Sequence, residues 1–151
     1  NFGAEVFAKP AKIGLKSPVH QDNFYWNVKD NKGITFWIAL NRSNRKNGSL
    51  FYYEKSHKLG VIKHEPSFAP GSSQQINNIN RFKKFKKVHP NLEVGDILIH
   101  SCLIAHGSEK NKSNKDRMGL TLRFIGANSK IDQKKKKKYE KSLVKQIRTL
   151  N

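Results

Sequence analysis

Short runs of β-branched and aromatic residues, each closed by a polar turn, do most to limit what this chain can fold into. ITFWIAL, from Ile34 to Leu40, follows the turn signal DNKG at 30 to 33 and is nearly continuous in hydrophobicity, so it reads as a buried strand. GAEVFAK at 3 to 9 suits an edge strand ended by Pro10, and SLFYYEKSH, from Ser49 to His57, is a further strand. NLEVGDILIHSC turns at Gly95-Asp96 into an apolar strand from Ile97 to Ile99. In RMGLTLRFIG the period-two pattern puts Met118, Leu120, Leu122 and Phe124 on one face and Arg117, Gly119, Thr121 and Arg123 on the other. Two arginines therefore point the same way. The stretch from Lys58 to about Phe85, with Pro66, Pro70 and Gly71, reads as a long irregular loop, after which FKKFKKVHP resumes an alternation.

These elements predict an all-β barrel or sandwich, and ligands spread over early and late strands favour a closed form. Helix is expected only at the end, where Tyr139, Leu143 and Ile147 fall at i, i+4, i+8 behind the lysine run Lys134 to Lys138. The expected division is a core over 1–130 and a lysine-rich helical tail over 131–151. A length of 151 residues allows one domain with a real core. Lys and Arg number 30 against 11 Asp and Glu, a net charge of +19, but the lysines are scattered over many segments. Such a charge speaks to solubility and non-specific polyanion binding, not to fold. The single cysteine, Cys102, excludes an intramolecular disulfide and fits a reducing compartment, with the cytoplasm as the expectation. No apolar run reaches membrane-spanning length, and the N-x-S sequons at Asn41, Asn47 and Asn111 read as chance matches. The opening at Asn1, without an initiator Met and running directly into a strand, reads as a chain whose upstream sequence is missing.

The chemistry begins at SPVHQD, Ser17 to Asp22. On an extended strand residues i and i+2 project from one face, so His20 and Asp22 offer an imidazole and a carboxylate side by side. A second histidine would complete the two-His, one-carboxylate triad of non-haem Fe(II) oxygenases; His106, in HSCLIAHGS, is the candidate. His100 lacks the following Gly-Ser and reads as a neighbour of the site or a core residue. His57, His64 and His89, in basic loop contexts, read as solvated. Arg123 and Tyr25 are candidates to line a substrate pocket, Arg123 by meeting an anionic group.

As an ordered set, HQD at 20–22, WIAL at 37–40, NGSL at 47–50, SHKLG at 56–60, GDILIH at 95–100, HGS at 106–108 and Arg117 resemble the phytanoyl-CoA dioxygenase-like family of Fe(II)/2-oxoglutarate-dependent oxygenases. The resemblance covers about residues 5 to 125. It implies a double-stranded β-helix, the cupin-like jelly-roll, without the N-terminal region usual in that family, and with His20, Asp22 and His106 on Fe(II). It also implies that Arg117 pairs with the distal carboxylate of 2-oxoglutarate, Ser108 hydrogen-bonds the same carboxylate, and Trp37 packs beside the cosubstrate. The activity implied is hydroxylation of an unactivated C–H bond of a small, by charge anionic, molecule, with O2 consumed, succinate and CO2 released and ascorbate as reductant. The alternative from charge alone is a non-catalytic basic β-barrel that holds nucleic acid or another polyanion.

Overall fold

The computed structural model describes residues 2–69 and 72–150, so Pro70 and Gly71, two of the breakers in the expected loop, lie outside the described residues. Among those described, ten strands, β1 (Gly3–Lys9), β2 (Ser17–His20), β3 (Gly33–Ala39), β4 (Leu50–Tyr53), β5 (His64–Ala69), β6 (Ser72–Ile76), β7 (Lys87–Val88), β8 (Ile97–Ser101), β9 (His106–Ser108) and β10 (Arg117–Ile125), are joined by two α-helices, α1 (Asp22–Trp26) and α2 (Gln133–Leu150). Two four-stranded antiparallel sheets, β1-β10-β3-β8 and β2-β9-β4-β7, enclose a central cavity, and β5-β6 add a hairpin. This is the jelly-roll, mostly strand, with one long helix at the end.

The sheet β1-β10-β3-β8 carries its polar side chains inward. Along β3 the buried positions are Gly33, Thr35, Trp37 and Ala39, and along β10 they are Arg117, Gly119 and Thr121. The aliphatic partners point the other way, leaving Val6 at 57% and Ile99 at 62% exposed. Exposed aliphatic side chains are ordinary on a protein surface, whereas a buried polar face is informative, because polar groups cost free energy inside unless something pairs with them. Apolar packing is displaced from the middle: Ile62, Ile76, Phe82 and Ala105 form one cluster, Trp26, Val28 and Cys102 a second, and Trp37, Ala39 and Leu92 a third.

Two expectations need correction. The stretch 58–85 is not one irregular loop, since it contains the β5-β6 hairpin and the short 3-10 turn Ile79–Phe82. Hydrophobic periodicity is blind to this hairpin because its inward residues, His64, Ser72, Gln74 and Ile76, are mostly polar. The alternation in FKKFKKVHP likewise yields only the two-residue β7, the rest being turn. The three sequon asparagines spend their amides inside the fold: Asn111 bonds the Lys9 and Lys115 carbonyls, Asn47 that of Arg42 and Asn41 that of Asp116.

Candidate active site

β2 ends at His20 and Asp22 opens α1, so the carboxylate stands at a strand-to-helix junction and not within a strand. Gln21 between them keeps extended dihedrals, φ −122° and ψ 134°, and this preserves the shared direction of its neighbours. β2 pairs antiparallel with β9, which makes His20 and His106 register partners with ring centroids 4.4 Å apart. Each ring places Nδ1 against the carbonyl two residues before it, Pro18 at 2.9 Å and Ile104 at 3.0 Å. A carbonyl can only accept, so both Nδ1 atoms carry a proton, and Nε2 is the ring atom left to offer a metal its lone pair.

Those lone pairs converge on Asp22. Its Oδ1 lies 3.9 Å from His20 Nε2 and 3.6 Å from His106 Nε2. Its Oδ2 accepts from the Thr35 hydroxyl at 2.7 Å and sits 3.3 Å from His100 Nε2, whose ring in turn meets the Tyr52 hydroxyl through Nδ1 at 3.1 Å. One carboxylate oxygen is thus held by the protein while the other faces the two imidazoles. A ligand atom from each of His20, Asp22 and His106 lies within 4.8 Å of the others. Burial, with the neighbouring His20 and His100, pushes the His106 imidazole down to about 3 against the pull of Asp22. Burial alone would raise Asp22, but His106, His100 and His20 outweigh it and hold the carboxyl well below the usual carboxylate range. A neutral His106 imidazole and an ionised Asp22 carboxylate are the states in which a divalent metal is bound.

The spacer of the motif is clamped. Gln21, with no exposed surface, donates through Nε2 to the Gly60 and Leu103 carbonyls at 2.8 and 2.6 Å and accepts at Oε1 from Ile62 N–H at 2.7 Å. Its backbone N–H donates to His64 Nε2 at 3.0 Å, and His64 Nδ1 donates to Ile62 O at 2.8 Å. His64 is therefore a buried part of the support and not a solvated loop residue as its basic context predicts, and burial lowers its pKa to about 4. An imidazole held neutral in the folded chain contributes stability that is full above the unfolded value near 6.5 and is lost as pH falls from there toward 4. That loss is about 3 kcal/mol. The urea midpoint should accordingly fall between pH 7 and pH 4.5, and His64→Gln should flatten that slope; an unchanged slope in the variant would rule out this origin.

Arg117 opens β10 and is 2% exposed. Its Nη2 donates to the Gly48 carbonyl at 3.1 Å and its guanidinium lies 5.4 Å from the Trp37 ring centre, while Nε is buried without a partner. Burial lowers its pKa to about 10, so it stays charged. Gly48 reaches that geometry through a left-handed φ of 84°, and an added Cβ would lie 2.7 Å from the Glu109 carbonyl. Gly119 makes room for Trp37 in a similar way, because a Cβ there would stand 2.0 Å from the indole. Gly119→Ala should displace Trp37 and cost about 1–3 kcal/mol, read as a lower urea midpoint. An unchanged midpoint would mean that the indole can move freely.

Arg123, six residues on, holds Glu5 at 3.3 Å through Nη2 while its Nε is buried and unpartnered. Tyr25 donates its hydroxyl to the Gln74 carbonyl and accepts from the Gln74 N–H, both at 3.2 Å, and burial raises its pKa to about 12. His20, Asp22, His106, Arg117, Ser108, Trp37, Tyr25 and Arg123 all line one cavity of about 520 Å³. Thr35 also lines it, and Gln21 and His64 support the segment that carries His20 and Asp22; sequence reasoning misses all three. The only signal for Thr35 is its place on the same strand face as Trp37; Gln21 and His64 gain their roles from partners remote in the chain.

A sequence profile described as Phytanoyl-CoA dioxygenase (PhyH) matches residues 1–119. The chain is 31% identical over 126 residues to the peroxisomal phytanoyl-CoA dioxygenase of Bos taurus, covering 80% of this chain and 37% of that protein. It is 30% identical over 125 residues to the Homo sapiens protein, covering 79% of this chain and again 37% of the relative, so the chain spans little over a third of their length. Among solved structures, the non-heme monooxygenase ThoJ superposes with a TM-score of 0.71 at 22% identity, covering 85% of this chain and 46% of that one. EctD from S. alaskensis, solved with 2-oxoglutarate and 5-hydroxyectoine, gives 0.68 at 17% identity, covering 85% and 45%.

Proposed function

Because the chain belongs to the phytanoyl-CoA dioxygenase family, we propose that it is an Fe(II)/2-oxoglutarate-dependent oxygenase that hydroxylates an unactivated C–H bond of a small organic molecule. The observation that carries this reading is the pairing, in one cavity, of a two-His, one-carboxylate cluster with a buried guanidinium whose Nε has no partner. The donor set suits Fe(II), since two imidazoles and one carboxylate leave other coordination positions open. The orphaned Nε of Arg117 suits a carboxylate, which a guanidinium binds in a two-pronged fork.

His20, Asp22 and His106 would hold the metal, and Arg117 the distal carboxylate of 2-oxoglutarate. Ser108, buried on β9, would add a hydrogen bond to that carboxylate, and Trp37 would flank the cosubstrate. Fe(II) with 2-oxoglutarate and O2 would supply the oxidising power, releasing succinate and CO2, with ascorbate restoring the reduced metal. Thr35 and His100 keep Asp22 turned so that Oδ1 is the available oxygen. Tyr25 and Arg123 would touch a substrate bound in this cavity, and the partly exposed guanidinium of Arg123, paired on one side with Glu5, suits an anionic one. Among the described residues no helix is long and apolar enough to cross a membrane, and the unpaired, buried Cys102 suits a reducing compartment such as the cytoplasm.

The test is succinate release from 2-oxoglutarate on adding Fe(II) and ascorbate, abolished in His106→Ala. Release that survives in the variant, or metal and cosubstrate binding that is absent in the parent, would overturn the reading.

A further inference from the structure

Helix α2 begins at Gln133, beyond the residues 1–119 that carry the family match, yet its Tyr139 and Leu143 line the same cavity as the histidine–carboxylate cluster. The segment leading into it is anchored. Ile131 bridges Val28 and packs on the Trp26 cluster, and Asp132 N–H donates to the Asn27 carbonyl at 2.7 Å. The lysines Lys134 to Lys138 face solvent, while Tyr139 turns inward. Its hydroxyl sits 3.0 Å from Ser73 Oγ on β6, and its ring meets Tyr25 of α1 edge-on, with centroids 5.6 Å apart and planes at 88°. Phe24 lies edge-on as well, at 6.2 Å. One side chain thus ties α2 to both α1 and the β5-β6 hairpin.

The chemistry of this wall follows from what its hydroxyls already do. Tyr25 spends its hydroxyl proton on Gln74 and accepts from it, and Tyr139 shares one hydrogen bond with Ser73, so the wall is mostly ring and aliphatic surface with one hydroxyl proton of the Tyr139–Ser73 pair to spare. A polyol lying against it would leave most of its hydroxyls unpaired, whereas a flat apolar body matches the rings and Leu143. At another part of the same cavity stands Arg123, whose Nη2 is paired with Glu5 at 3.3 Å and whose Nε has no partner.

We propose that α2 forms the substrate-facing wall of this cavity and that Tyr139 and Leu143 select a small carboxylate with a flat, apolar body, aromatic or alicyclic, whose anionic end lies toward Arg123. This rests on the oxygenase reading for the identity of the occupant as substrate, but the wall itself needs no metal.

The experiment places 3-fluorotyrosine in the full chain, with Tyr139→Phe used to assign the Tyr139 resonance among the four tyrosines. The protein, loaded with Zn(II) and 2-oxoglutarate so that it cannot turn over, is titrated with 3-phenylpropionate and, in parallel, with gluconate. The Tyr139 fluorine signal should shift saturably with 3-phenylpropionate and not with gluconate, and Leu143→Ala should weaken that binding at least fivefold while Zn(II) affinity stays the same. A silent Tyr139, an equal response to gluconate, or an unweakened Leu143→Ala would overturn the proposal. Failure of the oxygenase reading appears separately, as calorimetry without Zn(II) or 2-oxoglutarate binding. The titration repeated metal-free then decides the wall on its own.

Discussion

Arg117→Met should give a metal-free chain that is more stable than the parent and no longer binds 2-oxoglutarate. The guanidinium is buried, and among the described residues no carboxylate lies within ion-pair range of it. Desolvation by burial lowers its pKa, and its charge also helps to depress that of the neighbouring buried Lys9. Exchanging such a cation for an apolar side chain of similar reach removes an unmet electrostatic cost, and comparable replacements gain about 1–4 kcal/mol. For a chain of this size each kcal/mol raises the melting temperature by roughly 2–4 °C. The same exchange deletes the fork that would hold the cosubstrate carboxylate, a loss of about 2–5 kcal/mol for a buried charged partner, or at least roughly 30-fold in affinity. Arg117→Lys keeps the charge but not the planar fork and should fall between the two. Calorimetric titration of the Zn(II)-loaded proteins and a melting curve without metal check both halves. A destabilised Arg117→Met would mean that the Gly48 hydrogen bond and the Trp37 contact outweigh the buried charge.

The second large effect belongs to Asp22. Asp22→Asn preserves shape and can still accept from Thr35, but it removes the anion that faces both Nε2 atoms. Metal affinity should fall at least roughly 100-fold, since an amide oxygen is a much weaker ligand than a carboxylate for a hard divalent ion. Thr35→Val isolates the supporting contribution: the carboxylate stays, but Oδ2 loses its 2.7 Å hydrogen bond and is free to rotate toward the metal. Outer contacts of this kind are worth about 10–100-fold in metal affinity, so Thr35→Val should lie between parent and Asp22→Asn. Metal titrations on the three proteins give the order. If Thr35→Val binds metal as the parent does, the orientation of Asp22 is set by His100 alone.

The domain division at 130 and 131 takes on a different meaning once Tyr139 and Leu143 are found at the cavity. The helical spacing of Tyr139, Leu143 and Ile147 is legible, but Ile147 is half exposed while Gln146 is buried, so the stripe turns as it leaves the cavity. Spacing along a helix says which side chains lie together, not what waits opposite them. The same limit accounts for His64, which is indistinguishable in sequence from the exposed His57 until the Gln21 N–H arrives from 43 residues away.

What the chain's order of residues determined by itself was most of the strands, the candidate set His20, Asp22 and His106, the arginine on the last strand and the shared face of Arg117 and Arg123. These depend on short-range periodicity and on residue chemistry, which are written locally. Tertiary structure alone decided that the Thr35–Trp37 face of β3 and the Arg117–Thr121 face of β10 turn inward and the aliphatic ones outward. It also decided which carboxylate oxygen is tied down, that a hairpin replaces a loop, and that α2 walls the cavity. A period of two assigns side chains to faces but is symmetric between inside and outside, and hydrogen bonds across scores of residues exist only after the sheets have closed.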